Sequence, residues 1–430
     1  METILIKHAK EFIGQEVKLQ GWVYNTRSSG KVKFLILRDG TGYLQTIFFK
    51  GNLDDQTFSK FDLLTQESSV IVTGRLKEEP RGLGGVELDA TGLEVLQITQ
   101  NYPITPKEHG DAYLFDHRHL HLRSSRPYAI LRIRHQLIKA IRDFFDKNDF
   151  TLVDTPIFTP SACEGTTTLF GVEYFDTKAY LTQSGQLYNE ANAMAFRKVY
   201  CFGPTFRAEK SKTRRHLIEF WMVEPEMAFC DLKQNMEVAE KFVEYIAQWL
   251  VEHCKIEFET LERDIEPLKR VKAPFPRIHY KEAAKLLENA GTGFIYGGDF
   301  GAPDETFLAN KFDKPFFITN FPMAVKAFYM KQDPEDPTLS LSCDLLAPEG
   351  YGEIIGGGQR EEDINRLLSQ LEKHHLKRED FEWYLDLRKF GSVPHSGFGL
   401  GIERTLTWLC KLDHIRDAVP YPRMLYRMRP

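Results

Sequence analysis

Several features that mark large classes of proteins are missing from this sequence. The six cysteines are scattered and form no CxxC pair, so neither structural zinc nor a disulfide framework is expected. No segment has the apolar length of a membrane span, and the opening METILIKHAK lacks the apolar stretch of a signal peptide. Low-complexity segments and internal repeats are also absent. We therefore expect a cytoplasmic protein with reduced thiols and no association with a membrane.

Charge and length narrow the remaining classes. A formal net charge of −5 argues against indiscriminate binding of nucleic acid, so any contact with RNA must come from local patches. The 430 residues, 42% of them hydrophobic, are enough for a large core and a second, smaller domain. The composition thus predicts a globular protein with more than one domain.

Short segments of strand-like sequence fill the region from about Glu16 to Gln97. Five such segments predict strands, and the Asp-Gly-Thr-Gly sequence at 39–42 predicts a hairpin turn between the second and the third. One helix is predicted near Asp54–Leu64. Five strands with one helix fit a small Greek-key barrel of the OB-fold type, which binds oligonucleotides. Two prolines within residues 102–106 then predict a stiff linker.

The rest of the chain combines long helices with strands. Apolar residues at helical spacing predict a long amphipathic helix over Tyr128–Lys147. Further helices are predicted near Gln234–Cys254, Tyr280–Asn289 and Glu361–His375. This pattern predicts an α+β domain with an extended, mostly antiparallel sheet flanked by helices.

The most informative segment runs from Phe206 to Glu226, with the sequence FRAEKSKTRRHLIEFWMVEPE. Apolar runs on its two sides predict two strands, and the basic stretch Lys210–His216 predicts the loop between them. Such a hairpin would place guanidinium and imidazole donors around a polyphosphate, with Phe220 offering a flat face to a base. Charge runs also occur on solvated surface hairpins, so this segment alone leaves both interpretations open.

A second motif, QSGQLYN, covers Gln183–Asn189 and follows an apolar strand. If the strand continued, Ser184 and Gln186 would share one face and could hold a small zwitterion. The alternative is a structural turn around Gly185.

Two glycine-rich segments lie farther along the chain. In the first, Glu353 and the upstream Asp344 could hold Mg²⁺, and Arg360 would direct a guanidinium at a ligand. In the second, GFGLGIER over Gly397–Arg404, a strand would run into a helix and aim Arg404 at a phosphate. No βαβ unit surrounds these glycines, which argues against a dinucleotide fingerprint. Three separate segments therefore supply an arginine or an acid suited to ATP with Mg²⁺.

Together these segments resemble the three ordered motifs of the class II aminoacyl-tRNA synthetases. Val153–Pro156 is similar to motif 1, the FRAE hairpin to motif 2 and Gly397–Arg404 to motif 3. With the barrel, the resemblance spans essentially the whole chain and is closest to the aspartyl, asparaginyl and lysyl subgroup. It implies an OB-fold anticodon-binding domain at residues 1–102, a hinge at 103–125 and a class II catalytic domain at 126–430. Motif 1 forms the subunit interface in this class, which implies a homodimer.

The resemblance also implies a use of ATP and Mg²⁺ and assigns residues to it. Arg207 would contact the α-phosphate and the carboxylate of the amino acid, and Phe220 would stack on adenine. Glu353 and Asp344 would be the metal ligands, although Asp344 lies two residues farther from Glu353 than its counterpart in aspartyl enzymes. Arg404 joins Arg207 and Glu353 as the third catalytic residue. The further ATP contacts implied are Glu209, Arg215 and His216.

Two departures from the aspartyl pattern indicate the amino acid. Aspartyl enzymes carry QSPQxxK, whereas residues 183–189 here lack the lysine, and they carry Asp at the position of Glu224. The asparaginyl pattern implies that Glu224 accepts from the side-chain NH₂ of the substrate and that Arg360 donates to its oxygen. The expected activity is activation of L-asparagine to the adenylate and transfer to the 3′ end of tRNA(Asn). The other amino-acid contacts implied are Glu164, Ser184 and Gln186.

The barrel carries the residues that would read RNA. Arg27, Phe34 and Gln45 match positions that read the central anticodon uridine in this subgroup. An aromatic ring beside an amide and a cation suits a single-stranded base. Phe34 could equally belong to the barrel core. The histidines within Asp116–Arg123 have no recognisable zinc spacing, so we interpret that segment as a hinge.

Three alternatives accompany this interpretation. A nondiscriminating aspartyl enzyme is opposed by Gly185, Asn189 and Glu224. An ATP-dependent asparagine synthetase that reuses the catalytic domain would lack the barrel. A noncatalytic RNA-binding paralogue is opposed by the intact Arg207 and by the other two catalytic residues.

Overall fold

Two units make up the chain in the computed structural model, which describes residues 1–160, 162–163 and 169–430. The first unit is Met1–Leu114 and the second is Phe115–Pro430. None of the helices within the described residues is both long and apolar enough to cross a membrane. The predicted hinge, residues 103–125, spans the division between the units, and its limits stay a prediction.

The first unit is a closed barrel, which confirms the predicted OB-fold. Its strand Ser69–Glu78 pairs with Val86–Gln97 on one side and with Glu16–Ser29 on the other, which closes the sheet. Alternation along residues 32–37 turns Leu35 and Leu37 into the core. The full set of strands is Glu2–Thr3, Glu16–Ser29, Val32–Arg38, Tyr43–Phe49, Ser69–Glu78 and Val86–Gln97, with the helix Asp55–Lys60.

The second unit is built on an eight-stranded sheet. Five of its strand pairings are antiparallel and the two outermost pairings are parallel, as the sequence predicted for a mostly antiparallel sheet. In spatial order the strands are Arg277–His279, Phe316–Thr319, Ser342–Ala347, Gly352–Gln359, His395–Gly401, Glu219–Ala228, Lys198–Phe206 and Thr151–Leu152. A separate three-stranded sheet contains Phe158–Thr159, Gly171–Tyr174 and Thr177–Leu181.

Two long helices cover part of this sheet and supply most of the core. Ser125–Lys147 and Leu232–His253 pack against each other through residues at helical spacing, among them Leu137 and Phe242. Asp231 caps the second helix in a reciprocal capping box with Gln234. The helix Asp111–Asp116 crosses the division between the units. The other helices of the second unit are Arg118–His121, Gln186–Phe196, Lys255–Thr260, Glu266–Lys269, Tyr280–Asn289, Ala302–Ala309, Ile364–Lys373, Glu382–Lys389 and Ile402–Leu409.

One predicted element is wrong. The strand expected to continue through Ser184 and Gln186 ends at Leu181, and a helix begins at Gln186. Its sequence, QLYNEANAMAF, is rich in strong helix formers, and this propensity prevails over the apolar strand before it. Both side chains nevertheless reach the same cavity, as described below.

The register of the sheet depends on a close approach at Gly397, which lies opposite Glu226 on the neighbouring strand. A Cβ atom at this position would overlap the Glu226 carboxylate and the carbonyl oxygen of Pro225. We expect Gly397→Ala to lower the free energy of unfolding by about 1–3 kcal/mol, because backbone on the adjacent strand has to move.

Urea unfolding of the full-length variant tests this expectation. Gly203→Ala is the matched control, because a Cβ atom there has no neighbour within 4 Å. Equal unfolding midpoints for the two variants would contradict the close approach.

Candidate active site

A cavity of about 400 Å³ lies in the second unit. Its walls come from four adjoining strands of the large sheet and from the loop of the FRAE hairpin, whose strands are Lys198–Phe206 and Glu219–Ala228. All of the predicted catalytic, ATP-binding and amino-acid-binding residues that the structure describes line it. These are Ser184, Gln186, Arg207, Glu209, Arg215, His216, Phe220, Glu224, Asp344, Glu353, Arg360 and Arg404. Glu164 lies outside the described residues.

The arginines at one end of the cavity have unequal surroundings. Arg404 forms an ion pair with Glu353 at 2.9 Å, and Arg215 is bound to Glu305 at 2.9 Å and to the Gly350 carbonyl oxygen at 2.6 Å. The Nε atom of Arg207 is buried and has no hydrogen-bond partner within the described residues. A buried donor without a partner is costly, so Arg207 is suited to an anionic ligand.

The hairpin adds an aromatic ring from its second strand and an imidazole from its loop. Phe220 packs beside Leu217 and Ile415 and keeps part of its ring exposed, with the guanidinium carbon of Arg207 at 5.5 Å from the ring centroid. Burial, and then the charge of Arg404, lowers the pKa of His216. His216 is therefore neutral at pH 7 and can donate a hydrogen bond without adding a charge.

Carboxylates crowd the same end of the cavity. Asp344 forms an ion pair with Lys326 at 2.7 Å, yet burial raises the pKa of Asp344 to about 7. Burial also raises the pKa of Asp299 and of Glu305. No group of three or more metal-binding side chains occurs among the residues that can be described, so protein ligands alone do not form a metal site. One or two carboxylates are enough for Mg²⁺ when phosphate oxygens complete its shell, and the residues present fit that mode.

Glu224 lies at the other end, and its buried carboxylate is held by donors. The Ser184 hydroxyl donates to one oxygen, and the Gly185 N–H donates to the other at 2.9 Å. The Cys201 thiol also donates to that second oxygen, at 3.5 Å. Burial, and then the charge of Glu224, raises the pKa of Cys201 well above its usual range, so the thiol keeps its proton. The Asn189 side chain donates to the Glu224 main-chain oxygen at 2.9 Å.

The sequence reasoning did not identify Cys201 or Gly185 as partners of Glu224. The usable signal was the hairpin itself, because its register places Cys201 directly opposite Glu224. Position 185 also requires a glycine for a steric reason, because a Cβ atom there would overlap the Thr155 hydroxyl and the Cys201 sulfur.

Arg360 has a partner that the sequence did not reveal. Its guanidinium is bound in a buried ion pair to Glu226, with Nε donating to one carboxylate oxygen at 3.2 Å. Burial raises the pKa of Glu226 to about 7, although the charge of Arg360 opposes the change. Arg360 and Glu224 both line the cavity, and their hydrogen bonds described here go to different partners.

The three predicted RNA-reading residues share the outer face of the barrel. Arg27 lies opposite Phe34 on the neighbouring strand, with its guanidinium carbon 4.2 Å from the ring centroid. Phe34 is half-buried and points away from the core that contains Leu35. Gln45, on the next strand, donates to Glu87. Because the ring is outside the core, the core alternative for Phe34 is wrong.

The histidine-rich segment Asp116–Arg123 has a structural explanation. Arg118 is buried and donates to the carbonyl oxygens of Val419 and Pro420, each at 3.0 Å. Its guanidinium therefore ties this segment to the C-terminal region of the same unit.

Comparison with known proteins gives consistent matches to this geometry. The family described as tRNA synthetases class II (D, K and N) matches residues 111–425, and the OB-fold nucleic acid binding domain matches residues 17–96. An asparagine–tRNA ligase of Desulforamulus reducens is 57% identical over 430 residues, which is 100% of both chains.

Solved structures agree with these matches. The asparaginyl-tRNA synthetase of Pyrococcus horikoshii, complexed with asparaginyl-adenylate, superimposes with a TM-score of 0.96 and 46% identity over 99% of each chain. The Entamoeba histolytica asparaginyl-tRNA synthetase, also with asparaginyl-adenylate, has a TM-score of 0.90 and 31% identity over 100% of this chain and 99% of the other. This chain is a class II tRNA synthetase of the aspartyl, lysyl and asparaginyl family, with an OB-fold domain, and its chemistry uses ATP.

Proposed function

We propose that the chain ligates L-asparagine to tRNA(Asn) through an asparaginyl-adenylate. The observation that carries this proposal is the carboxylate of Glu224, which three donors hold at the amino-acid end of the cavity. An ionised carboxylate only accepts hydrogen bonds, so it matches the side-chain NH₂ of asparagine and repels the carboxylate of aspartate. Aspartyl enzymes carry a lysine at position 189. In this chain the position holds Asn189, whose side-chain amide donates to the main-chain oxygen of Glu224.

The first half-reaction is an in-line displacement at phosphorus. A carboxylate oxygen of asparagine attacks the α-phosphorus of ATP, the bond to the bridging oxygen breaks, and pyrophosphate leaves. Arg207 stabilises the negative charge that develops on the phosphate oxygens, because its buried Nε lacks a partner within the described part of the chain. Positioning and charge stabilisation are the main contributions expected from a protein in such a reaction.

Other residues hold ATP in place. Phe220 stacks on adenine, Glu209 contacts the nucleotide, and Arg215, His216 and Arg404 bind its β- and γ-phosphates. Mg²⁺, when bound, neutralises the phosphate charge and orients the leaving group. Glu353 is its protein ligand, with Asp344 as a second ligand that must first be separated from Lys326.

Different residues recognise the ammonium group and the side chain of the amino acid. Glu164, Ser184 and Gln186 bind its ammonium group. Arg360 donates to the side-chain oxygen while its other edge stays with Glu226. The second half-reaction transfers the activated residue to the 3′ end of tRNA and releases AMP.

The remaining assignments concern the assembly and the RNA. Arg27, Phe34 and Gln45 read the anticodon on the barrel, which forms an OB-fold domain at residues 1–102. The chain is assigned to the cytoplasm and to a homodimer. Exposed apolar side chains close in sequence to Val153–Pro156, among them Phe158, support the homodimer. The hinge at 103–125 then leads into the catalytic domain, 126–430.

ATP–pyrophosphate exchange by the purified chain with Mg²⁺ tests the function. We expect exchange with L-asparagine and none above background with L-aspartate or L-lysine. Exchange with aspartate would indicate the nondiscriminating aspartyl alternative. No exchange with any of the three amino acids would indicate the noncatalytic paralogue. Glu224→Gln should reduce the preference for asparagine by about 100-fold or more, because it removes the negative charge that repels aspartate and replaces one acceptor oxygen by an NH₂ donor. Cys254→Val, which changes a buried thiol outside the cavity, is the control.

Phe34→Ala separates the RNA-binding role from the chemistry. We expect the KM for tRNA(Asn) to rise about 10- to 100-fold, because stacking of one base contributes about 1–3 kcal/mol. ATP–pyrophosphate exchange should stay unchanged. Leu63→Ala, an exposed apolar residue elsewhere on the barrel, is the matched control. Unaltered aminoacylation by the Phe34 variant would refute the stacking role.

A further inference from the structure

Behind the wall of the cavity, the buried Glu190 is surrounded by hydrogen-bond donors. Its carboxylate accepts from the Gln186 amide at 2.9 Å, the Tyr384 hydroxyl at 2.7 Å, Nη2 of Arg388 at 2.7 Å and Nε2 of His395 at 2.8 Å. Burial would raise the pKa of Glu190, but Arg388 and His395 outweigh it and hold this pKa well below its usual range. Glu190 is therefore an anion that no water solvates, and its four neighbours replace the solvent.

The surroundings of His395 fix its protonation. Its Nδ1 atom lies 2.8 Å from the Val393 carbonyl oxygen, which can only accept. Its Nε2 atom lies 2.8 Å from the ionised Glu190, which also only accepts. Both ring nitrogens must therefore carry a hydrogen, and the ring is an imidazolium although only 1% of its side chain is exposed.

A positive His395 also fits the buried ion pairs of this region. Arg360 is paired with Glu226, and Arg388 and His395 both contact Glu190. A charge on His395 therefore lies against a carboxylate, which offsets the cost of burying that charge.

One helix connects the charge of Glu190 to the cavity. Gln186 and Glu190 are four residues apart on Gln186–Phe196 and so lie on the same face. Because Glu190 can only accept, the NH₂ of Gln186 faces it. The Oε1 atom of Gln186 is then the acceptor that this cavity-lining side chain presents to an ammonium group.

We propose that His395 is a positioning residue, held as an imidazolium, which keeps Glu190 ionised and thereby orients the amide of Gln186 toward the α-ammonium of the amino acid. The link to substrate rests on the proposed function. The protonation of the ring does not, because it follows from the two contacts of His395 and from the ionisation of Glu190.

The test uses ATP–pyrophosphate exchange with His395→Gln, which keeps a donor for Glu190 and removes the charge. We expect the KM for asparagine to rise about 10- to 100-fold, with the KM for ATP unchanged and kcat altered far less. Glu190→Gln should have a similar effect. The double variant should be no worse than the more damaging single one, because it removes a cation and an anion together. Additive losses, or parallel losses in both KM values and kcat, would indicate a merely structural role.

A second measurement covers the case in which the variants fold poorly. In wild-type protein labelled with ¹⁵N-histidine, the His395 ring should show two protonated nitrogens at the pH of the exchange assay. Its signals are assigned by their absence in His395→Gln, and His253→Gln, which changes an exposed ring, is the control. A neutral ring at this pH would overturn the proposal, even if exchange with asparagine is found. Absence of exchange in the wild-type protein would instead refute the proposed function and leave the protonation result standing.

Discussion

Burial of carboxylates around one end of a cavity is the constraint on which the rest of the site depends. Glu190, Glu224 and Glu226 are all buried, and a buried carboxylate must find either a cation or several donors. The two solutions are used side by side. Glu226 is paired with Arg360, whereas Glu224 is held by a hydroxyl, a main-chain N–H and a thiol. The donors around Glu224 fix the start of the helix Gln186–Phe196. The pairing of Glu226 with Arg360 fixes the register of the central strands.

The two ends of the cavity therefore differ in physical character. At the end that contains Glu224 and Arg360, both charged side chains already have protein partners, which favours an uncharged ligand group there. At the other end, Arg207 has a donor without a partner in the described structure, and several carboxylates have a raised pKa. Such an end gains stability from an added anion and cation, which is what ATP with Mg²⁺ would supply.

Much of this arrangement could be predicted from the sequence, for reasons that are local. Alternation gave the barrel strands, and helical spacing gave the helix predicted at Tyr128–Lys147 and found at Ser125–Lys147. Apolar runs around a basic loop gave the hairpin. The helix at Gln186 was missed, because its first residues follow an apolar strand without a proline or a capping side chain.

Contacts between distant parts of the chain could not be predicted. Arg360 and Glu226 are 134 positions apart, and His395 and Glu190 are 205 apart, so no pattern along the chain connects them. The segment QSGQLYNEA shows Glu190 only as one polar residue of a helix. Its role depends on donors that the fold brings together from Glu382–Lys389 and from the strand that begins at His395.

The central claim is that these buried charged groups select an uncharged amide. Titration calorimetry with two non-hydrolysable adenylate analogues, an asparaginyl and an aspartyl sulfamoyl-adenosine, tests it most directly on the unmodified protein. The account predicts that the asparaginyl analogue binds about 10⁴-fold more tightly, because the aspartyl carboxylate would face Glu224 while the charge of Arg360 is already paired with Glu226. Similar affinities for the two analogues would contradict it.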